Sequence, residues 1–167
     1  LVSPVRDARD IAAAVPDPEL PMVTLGDLGI LRAVQQDGPD VTVTITPTYS
    51  GCPAMREINQ DLRQRLGEAG HRSVTIRTEL SPPWSSDWIT PEGHRKLRAA
   101  GIAPPSVAAP RNPGPIPLSL TVRSRSVACP RCQSTRTSEV AAFSGTACKA
   151  LYRCEECREP FEYVKEI

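Results

Sequence analysis

A two-part α+β fold is expected from three observations. First, Val41, Val43 and Ile45 alternate with Thr42, Thr44 and Thr46, and Met55, Ile58, Leu62 and Leu66 then step at helical spacing. A half-buried strand therefore leads into an amphipathic helix. Second, Cys129-Pro130-Arg131-Cys132 and Cys154-Glu155-Glu156-Cys157 form two C-x2-C pairs about 21 residues apart, close to zinc-ribbon spacing. Third, Ala103 to Pro117 is rich in proline and alanine and nearly free of charge, the composition of an extended, semi-rigid linker. Together they predict a small domain of helices and a mixed three-stranded sheet over 1–101, a linker over 102–117, and a zinc-ribbon β-hairpin module over 118–167.

Each element has a local cause. Asp7 to Val15 reads as a short helix, with Ile11 and Val15 on one face. Pro16, Pro18 and Pro21 force the next stretch into a loop. Thr24 is placed to cap a single turn ending near Gly26 or Gly29. Ile30 to Gln36 is a strand, Asp37-Gly38 a turn, and Val41 to Thr46 the next strand. Pro53 suits the first position of a helix running to Leu66, and Ser73 to Leu80 forms a third strand. A loop carrying Trp84 and Trp88 follows. Thr90 then caps a helix with Pro91 at its first position and Gly101 past its end. In the ribbon, Ser138 to Phe143, Ala147 to Arg153 and Phe161 to Val164 are strand candidates, with Ser144-Gly145 a turn.

Composition excludes several functions. The net charge of +1 gives no bulk electrostatic case for nucleic acid or membrane partners. The ribbon is only slightly basic and lacks a basic, aromatic stripe for nucleic acid. No apolar run approaches the roughly 18 residues of a membrane span. The two histidines, His71 and His94, read as surface or packing residues.

The ribbon spacing carries its own chemistry. Two tight turns bring four thiolates onto one ion, and a site with every position filled is structural rather than catalytic. Zinc fits best. Iron, as a single ion or a cluster, also suits four thiolates. A pair of disulfides is the remaining alternative, disfavoured because no secretory signal opens the sequence. Thiolate ligands imply a reducing compartment. Cys148 lies six residues before Cys154, about 20 Å along an extended strand, so it is expected near the hairpin turn and not as a ligand. It is either a small half-buried strand residue or a thiol presented to a partner.

Cys52 is the candidate functional thiol of the first part. It immediately precedes a helix, whose N-terminal amides and partial charge stabilise a thiolate. The plainer reading is a buried cysteine at a corner. No histidine flanks it, so cysteine-hydrolase chemistry lacks a base. Asp17 and Glu19, two apart in an extended loop, either cap neighbouring amides or line a site with Cys52.

Three segments also carry a resemblance. Asp17-Pro18-Glu19-Leu20, Leu25-Gly26-Asp27-Leu28-Gly29-Ile30 and Ser50-Gly51-Cys52-Pro53-Ala54 resemble the α+β domain of the SufT-type and MIP-type iron–sulfur maturation factors. Ser81-Pro82-Pro83-Trp84-Ser85-Ser86-Asp87-Trp88-Ile89-Thr90, the helix ending in Lys96-Leu97, the cysteine pairs and Thr146 to Cys154 resemble the PaaD family, the D subunits of phenylacetyl-CoA epoxidase systems. The resemblance covers nearly the whole chain except the linker. It implies a non-catalytic accessory subunit, cytoplasmic, that assists iron or iron–sulfur cluster assembly in the other protein components of a phenylacetyl-CoA monooxygenase. It carries over Cys52 as the site thiol with Asp17 and Glu19 beside it, and Cys129, Cys132, Cys154 and Cys157 as metal ligands. The alternative is a docking subunit that bridges oxygenase and reductase, with Trp84, Trp88 and Cys148 as partner contacts. A homodimer sharing a metal at Cys52 stays open. The residues agree that this is neither enzyme component. Glu68-Ala69-Gly70-His71 has Glu-x-x-His spacing but runs through a glycine at a helix end, unlike a di-iron ligand pair, and no Gly-rich dinucleotide motif is present.

Overall fold

The computed structural model describes residues 7–106 and 127–166. They divide into two compact units that meet in sequence between Ala100 and Gly101.

The first unit opens with α1 (Ala8–Ala13), whose N-terminus is capped by the Asp7 carboxylate accepting from the Arg9 N–H. The helix stops short of the expected Val15. The Val15 N–H turns more tightly onto the Ala12 carbonyl, and Pro16 has no N–H to continue it. Strands β1 (Leu31–Asp37) and β2 (Asp40–Ile45) pair antiparallel, and α2 (Met55–Glu68) crosses over to β3 (Ser73–Thr78), parallel to β2. The sheet is mixed, as expected. The alternation in β2 puts Val41 beside Val74 and Val43 beside Ile76. Val41, Val43 and Ile45 are buried in one core with Ile58, Leu62 and Leu66, the inward stripe of α2.

The start of α2 differs from expectation. Pro53 is not its first residue. The Met55 N–H bonds the Cys52 carbonyl at 3.2 Å in a separate turn, Ala54 is the cap, and the helix begins at Met55. Cys52 thus stands one turn ahead of the helix, in the segment that follows the carboxyl end of β2.

The Trp-bearing loop and α3 (Pro91–Ala99) complete this unit, with the Thr90 hydroxyl accepting from the Gly93 N–H. The loop following Thr24 docks on them tightly. A Cβ at Gly29, which has φ of +67°, would lie 2.6 Å from the Cβ of Trp88. One at Gly93 would lie 2.8 Å from the Asp27 carbonyl. Trp84, expected as a partner contact, is only 4% exposed and donates its indole N–H to the Leu28 carbonyl at 2.9 Å. Its large apolar ring fills the unit's own interior, and its polar atom is used there. Trp88 is half-buried, with the Arg32 guanidinium 3.6 Å above its ring.

In the second unit β4 (Thr137–Ala141), β5 (Lys149–Cys154) and β6 (Pro160–Val164) form an antiparallel sheet in sequence order. Tyr152 stacks on Phe161 and meets Tyr163 edge-on, with ring centroids 5.9 and 5.5 Å apart. These rings pack with Val127, Ala150, Cys129 and Cys154.

The stretch expected as a linker over 102–117 begins inside this unit. Ala103 is 2% exposed, belongs to the same core, and pairs in parallel with Tyr163 on the outer edge of β6. The rest of that stretch from 107, and the ribbon residues expected over 118–126, lie outside the described residues.

Candidate metal and thiol sites

The ribbon brings its four expected ligands together. The sulfurs of Cys129, Cys132, Cys154 and Cys157 all lie within 4.8 Å of one another. Cys132–Cys154 at 3.5 Å and Cys129–Cys157 at 3.7 Å each join one turn to the other. A tetrahedral ion with metal–sulfur bonds of about 2.3 Å requires sulfur–sulfur separations of about 3.8 Å. The donor set therefore fits one four-coordinate ion with no open position.

The two turns are built alike. Gln133 and Arg158, each directly after the second cysteine of its pair, have φ of 62° and 65°. The Cys129 N–H bonds the Ser134 carbonyl, and the Cys154 N–H bonds the Glu159 carbonyl. The amide of Cys157 pulls the Cys154 thiol below its usual range. The amide of Glu159 pulls Cys157 down as well, but burial and the other three cysteines outweigh it and leave that thiol pushed up to about 12. Four sulfurs this close cannot all carry charge unless a cation joins them.

Cys148 lies in the turn just before β5, at the opposite end of that strand from Cys154, and outside the ligand group. It is half-buried, and its sulfur lies 3.1 Å from the Thr146 hydroxyl. The turn is held by the Glu162 carboxylate, which accepts from the Ser144 hydroxyl and, at 3.0 Å, from the buried Lys149 ammonium.

In the first unit the charges of Asp17 and Glu19 bear on Cys52. One carboxylate oxygen of Asp17 accepts from the Glu19 and Leu20 N–H groups at 2.9 and 2.8 Å. Asp17 therefore caps the proline loop, and does so while its charge bears on Cys52. The expected thiolate stabilisation is not realised. Burial pushes the Cys52 thiol up. The Ala54 N–H pulls it back, the Glu19 carboxylate pushes it up, a Tyr49 hydrogen bond pulls it down, and Asp17 adds a further upward push. Half-burial and two anions exceed what one helix terminus supplies. Among the described residues, the Cys52 corner does not form a closed group of three or more ligand atoms.

An ion pair not anticipated from the sequence lies elsewhere in the same unit. Asp27 accepts from the Thr24 N–H at 3.0 Å and from the Lys96 ammonium at 2.7 Å. Burial works to raise its carboxyl, but Lys96 and the Thr24 groups outweigh it and hold the carboxyl below the usual range. Thr24-x-x-Asp27 is a capping-box pattern, so half of this arrangement has a local signal. Lys96 has none, because it comes from α3.

Fold and sites define a class: an iron–sulfur-assembly-type α+β domain joined to a zinc ribbon. Residues 8–77 match the iron–sulfur cluster assembly protein family, and residues 115–165 match the PaaD zinc β-ribbon domain. The chain is 41% identical over 163 residues to a protein of Escherichia coli (strain K12) described as a candidate 1,2-phenylacetyl-CoA epoxidase component of the D type, covering 98% of this chain and 93% of that protein. It belongs to this family of epoxidase D subunits. It is also 37% identical over 84 residues to an Fe–S protein maturation auxiliary factor of Porphyromonas gingivalis, covering 48% of this chain and 78% of that protein. A crystal structure of a domain of unknown function, DUF59, from Bacillus anthracis superposes with a TM-score of 0.50 at 27% identity, over 54% of this chain and 87% of that one.

Proposed function

We propose that this chain is a non-catalytic accessory subunit of a phenylacetyl-CoA epoxidase system that helps deliver iron or an iron–sulfur cluster to the other protein components. Cys52 handles the cargo, and the ribbon holds a structural zinc. The observation that carries this reading is that the Cys52 thiol lies within electrostatic reach of the Glu19 and Asp17 carboxylates. Those carboxylates oppose a bare thiolate, yet they attract a cation, so the corner favours a metal-bound sulfur over an exposed reactive one. Metal binding displaces the thiol proton, which free solvent or a carboxylate accepts. With Cys52 as the protein's sulfur ligand and the two carboxylates acting through their charge, an iron keeps further positions for ligands of the recipient, as transfer requires. The ribbon has the opposite character. Its four thiolates leave nothing open, so its ion organises the fold and takes no part in transfer. Both sites need unoxidised cysteines, which suits the cytoplasm.

The test is the metal and acid-labile sulfide content of anaerobically purified protein, wild type beside Cys52→Ala. The expected result is one zinc per chain in both, with iron or sulfide in the wild type only. Co-expressed oxygenase or reductase should be poor in iron when the variant replaces the wild type. Full metal content in those components with Cys52→Ala would remove the role of Cys52 and leave a docking subunit.

A further inference from the structure

The turn between β4 and β5 is tied down by charge and by backbone bonds. The Glu162 carboxylate of β6 accepts from the Ser144 hydroxyl, the Gly145 amide and, at 3.0 Å, the buried Lys149 ammonium. The Ser144 N–H bonds the Lys149 carbonyl at 3.0 Å. Just past β6, the Lys165 N–H bonds the Cys148 carbonyl and its ammonium bonds the Ala147 carbonyl, each at 2.9 Å. An unburied aromatic ring stands on this frame. Phe143 is 67% exposed, and the Lys165 ammonium lies 4.0 Å from the centre of its ring. Val140, three positions earlier, is 57% exposed. Ordering the turn costs conformational entropy, and Phe143 returns little burial within its own unit. A pre-organised aromatic beside a cation is the make-up of a binding hot spot.

Two observations select the partner. β4 is an edge strand, but its pairing with β5 shifts register between Glu139 and Ala141 and leaves Val140 without a partner. That bulge breaks the regular edge an added strand needs, so a partner meets side chains here rather than backbone. The second observation is charge. Among the described residues Lys165 makes no ion pair, because Glu162 pairs with Lys149 and Glu166 accepts from the Tyr163 hydroxyl at 3.2 Å. A second copy of this chain fits poorly, since a two-fold contact through Phe143 sets one Lys165 ammonium against the other.

We propose that Phe143, with Lys165 on its ring, is the surface by which this chain docks on another protein, and that the partner offers an apolar socket with a carboxylate at its rim. The ring fills the socket, and the ammonium meets the carboxylate. The surface lies at the end of β5 opposite Cys154, so docking leaves the four-cysteine site untouched. It rests on the accessory-subunit reading for the partner's identity, an oxygenase or reductase component, and it is independent of Cys52.

The test is binding of the zinc-loaded full chain to purified oxygenase and reductase components, followed by sedimentation at several salt concentrations. The wild type should bind one component, with affinity falling as salt rises from about 50 to about 500 mM. Phe143→Ser should weaken binding at least roughly tenfold with zinc content and thermal melting unchanged, because the ring is exposed. Lys165→Met should remove most of the salt dependence, which a merely loosened turn would not do. Cys52→Ala should bind as the wild type does. Binding equally tight in Phe143→Ser and Lys165→Met would overturn the docking surface and leave the accessory-subunit reading standing. A wild type that binds neither component would remove that reading and the proposal with it. Self-association of the wild type, lost in Phe143→Ser, would assign the ring to a second copy and overturn the proposed partner.

Discussion

The two cysteine sites are opposites in how they are built. The ribbon ligands come in two sequence-local turns of the same design, each with a positive-φ residue behind it, and their sulfurs close on one point. Cys52 stands alone in its own segment, and its neighbours Asp17 and Glu19 arrive from a loop more than thirty positions earlier. A closed set leaves an ion no free position, whereas the proposed cargo site at Cys52 would leave several. Thiol count alone therefore says little about function; the number of positions left open on the ion says more.

Removing a ligand from each site separates them most clearly. Cys154→Ser should abolish stoichiometric zinc and the cooperative melting of the second unit while the first unit still melts cooperatively, as followed by hydrogen exchange. Cys52→Ala should change the stability of the first unit by less than about 1 kcal/mol in a urea titration, because a half-buried thiol leaves only a small void. Equal losses would erase the distinction between a structural and a working site.

A smaller effect is expected from the pair that braces the Cys52 domain. Asp27→Ala removes a cap and a charged partner and should cost about 2 kcal/mol. The Asp27 carboxyl lies below its usual range when folded. Its contribution is therefore present above the ordinary carboxylate pKa of about 4 and is lost as pH falls through the lower folded value. Thermal melts of wild type between pH 5 and 3 should show a steeper loss than those of Lys96→Met. Parallel curves would show that Lys96 does not set the Asp27 pKa.

The smallest effect probes the open site itself. Glu19→Gln removes one anion that pushes the Cys52 thiol up, so alkylation of Cys52 by iodoacetamide at pH 8 should speed up by about threefold, read by peptide mass mapping. Ligand cysteines of the zinc-loaded ribbon should be protected throughout. A slower or unchanged rate would show that Glu19 does not bear on the thiol.

What could be read before folding was whatever repeats at a fixed interval or sits in a short motif. The alternation of Val41, Val43 and Ile45, the stripe from Met55 to Leu66, the Thr90-Pro91 cap and the cysteine pairs each declare themselves within a dozen residues. Periodicity and local covalent geometry are properties of the chain, so the strands, α2, α3 and the ribbon ligands were legible there. Pro53 shows the limit of local signals, since a turn made by the Cys52 carbonyl displaced the helix start to Met55.

The rest depended on which distant segments meet. Trp84 turned inward because Leu28 offers its carbonyl there, and Lys96 found Asp27 across 69 positions. The Cys52 thiol is held up rather than down because burial and two loop carboxylates act on it at once, and neither is a property of the residues beside it. Ala103 joined the ribbon through a backbone bridge and one buried methyl, and no side-chain pattern announces either. The elements and the closed metal site were already written into the order of the residues, because both arise from short-range geometry. The charge state of the open site and the start of the second unit came from folding, because desolvation and long-range pairing exist only once the chain has packed.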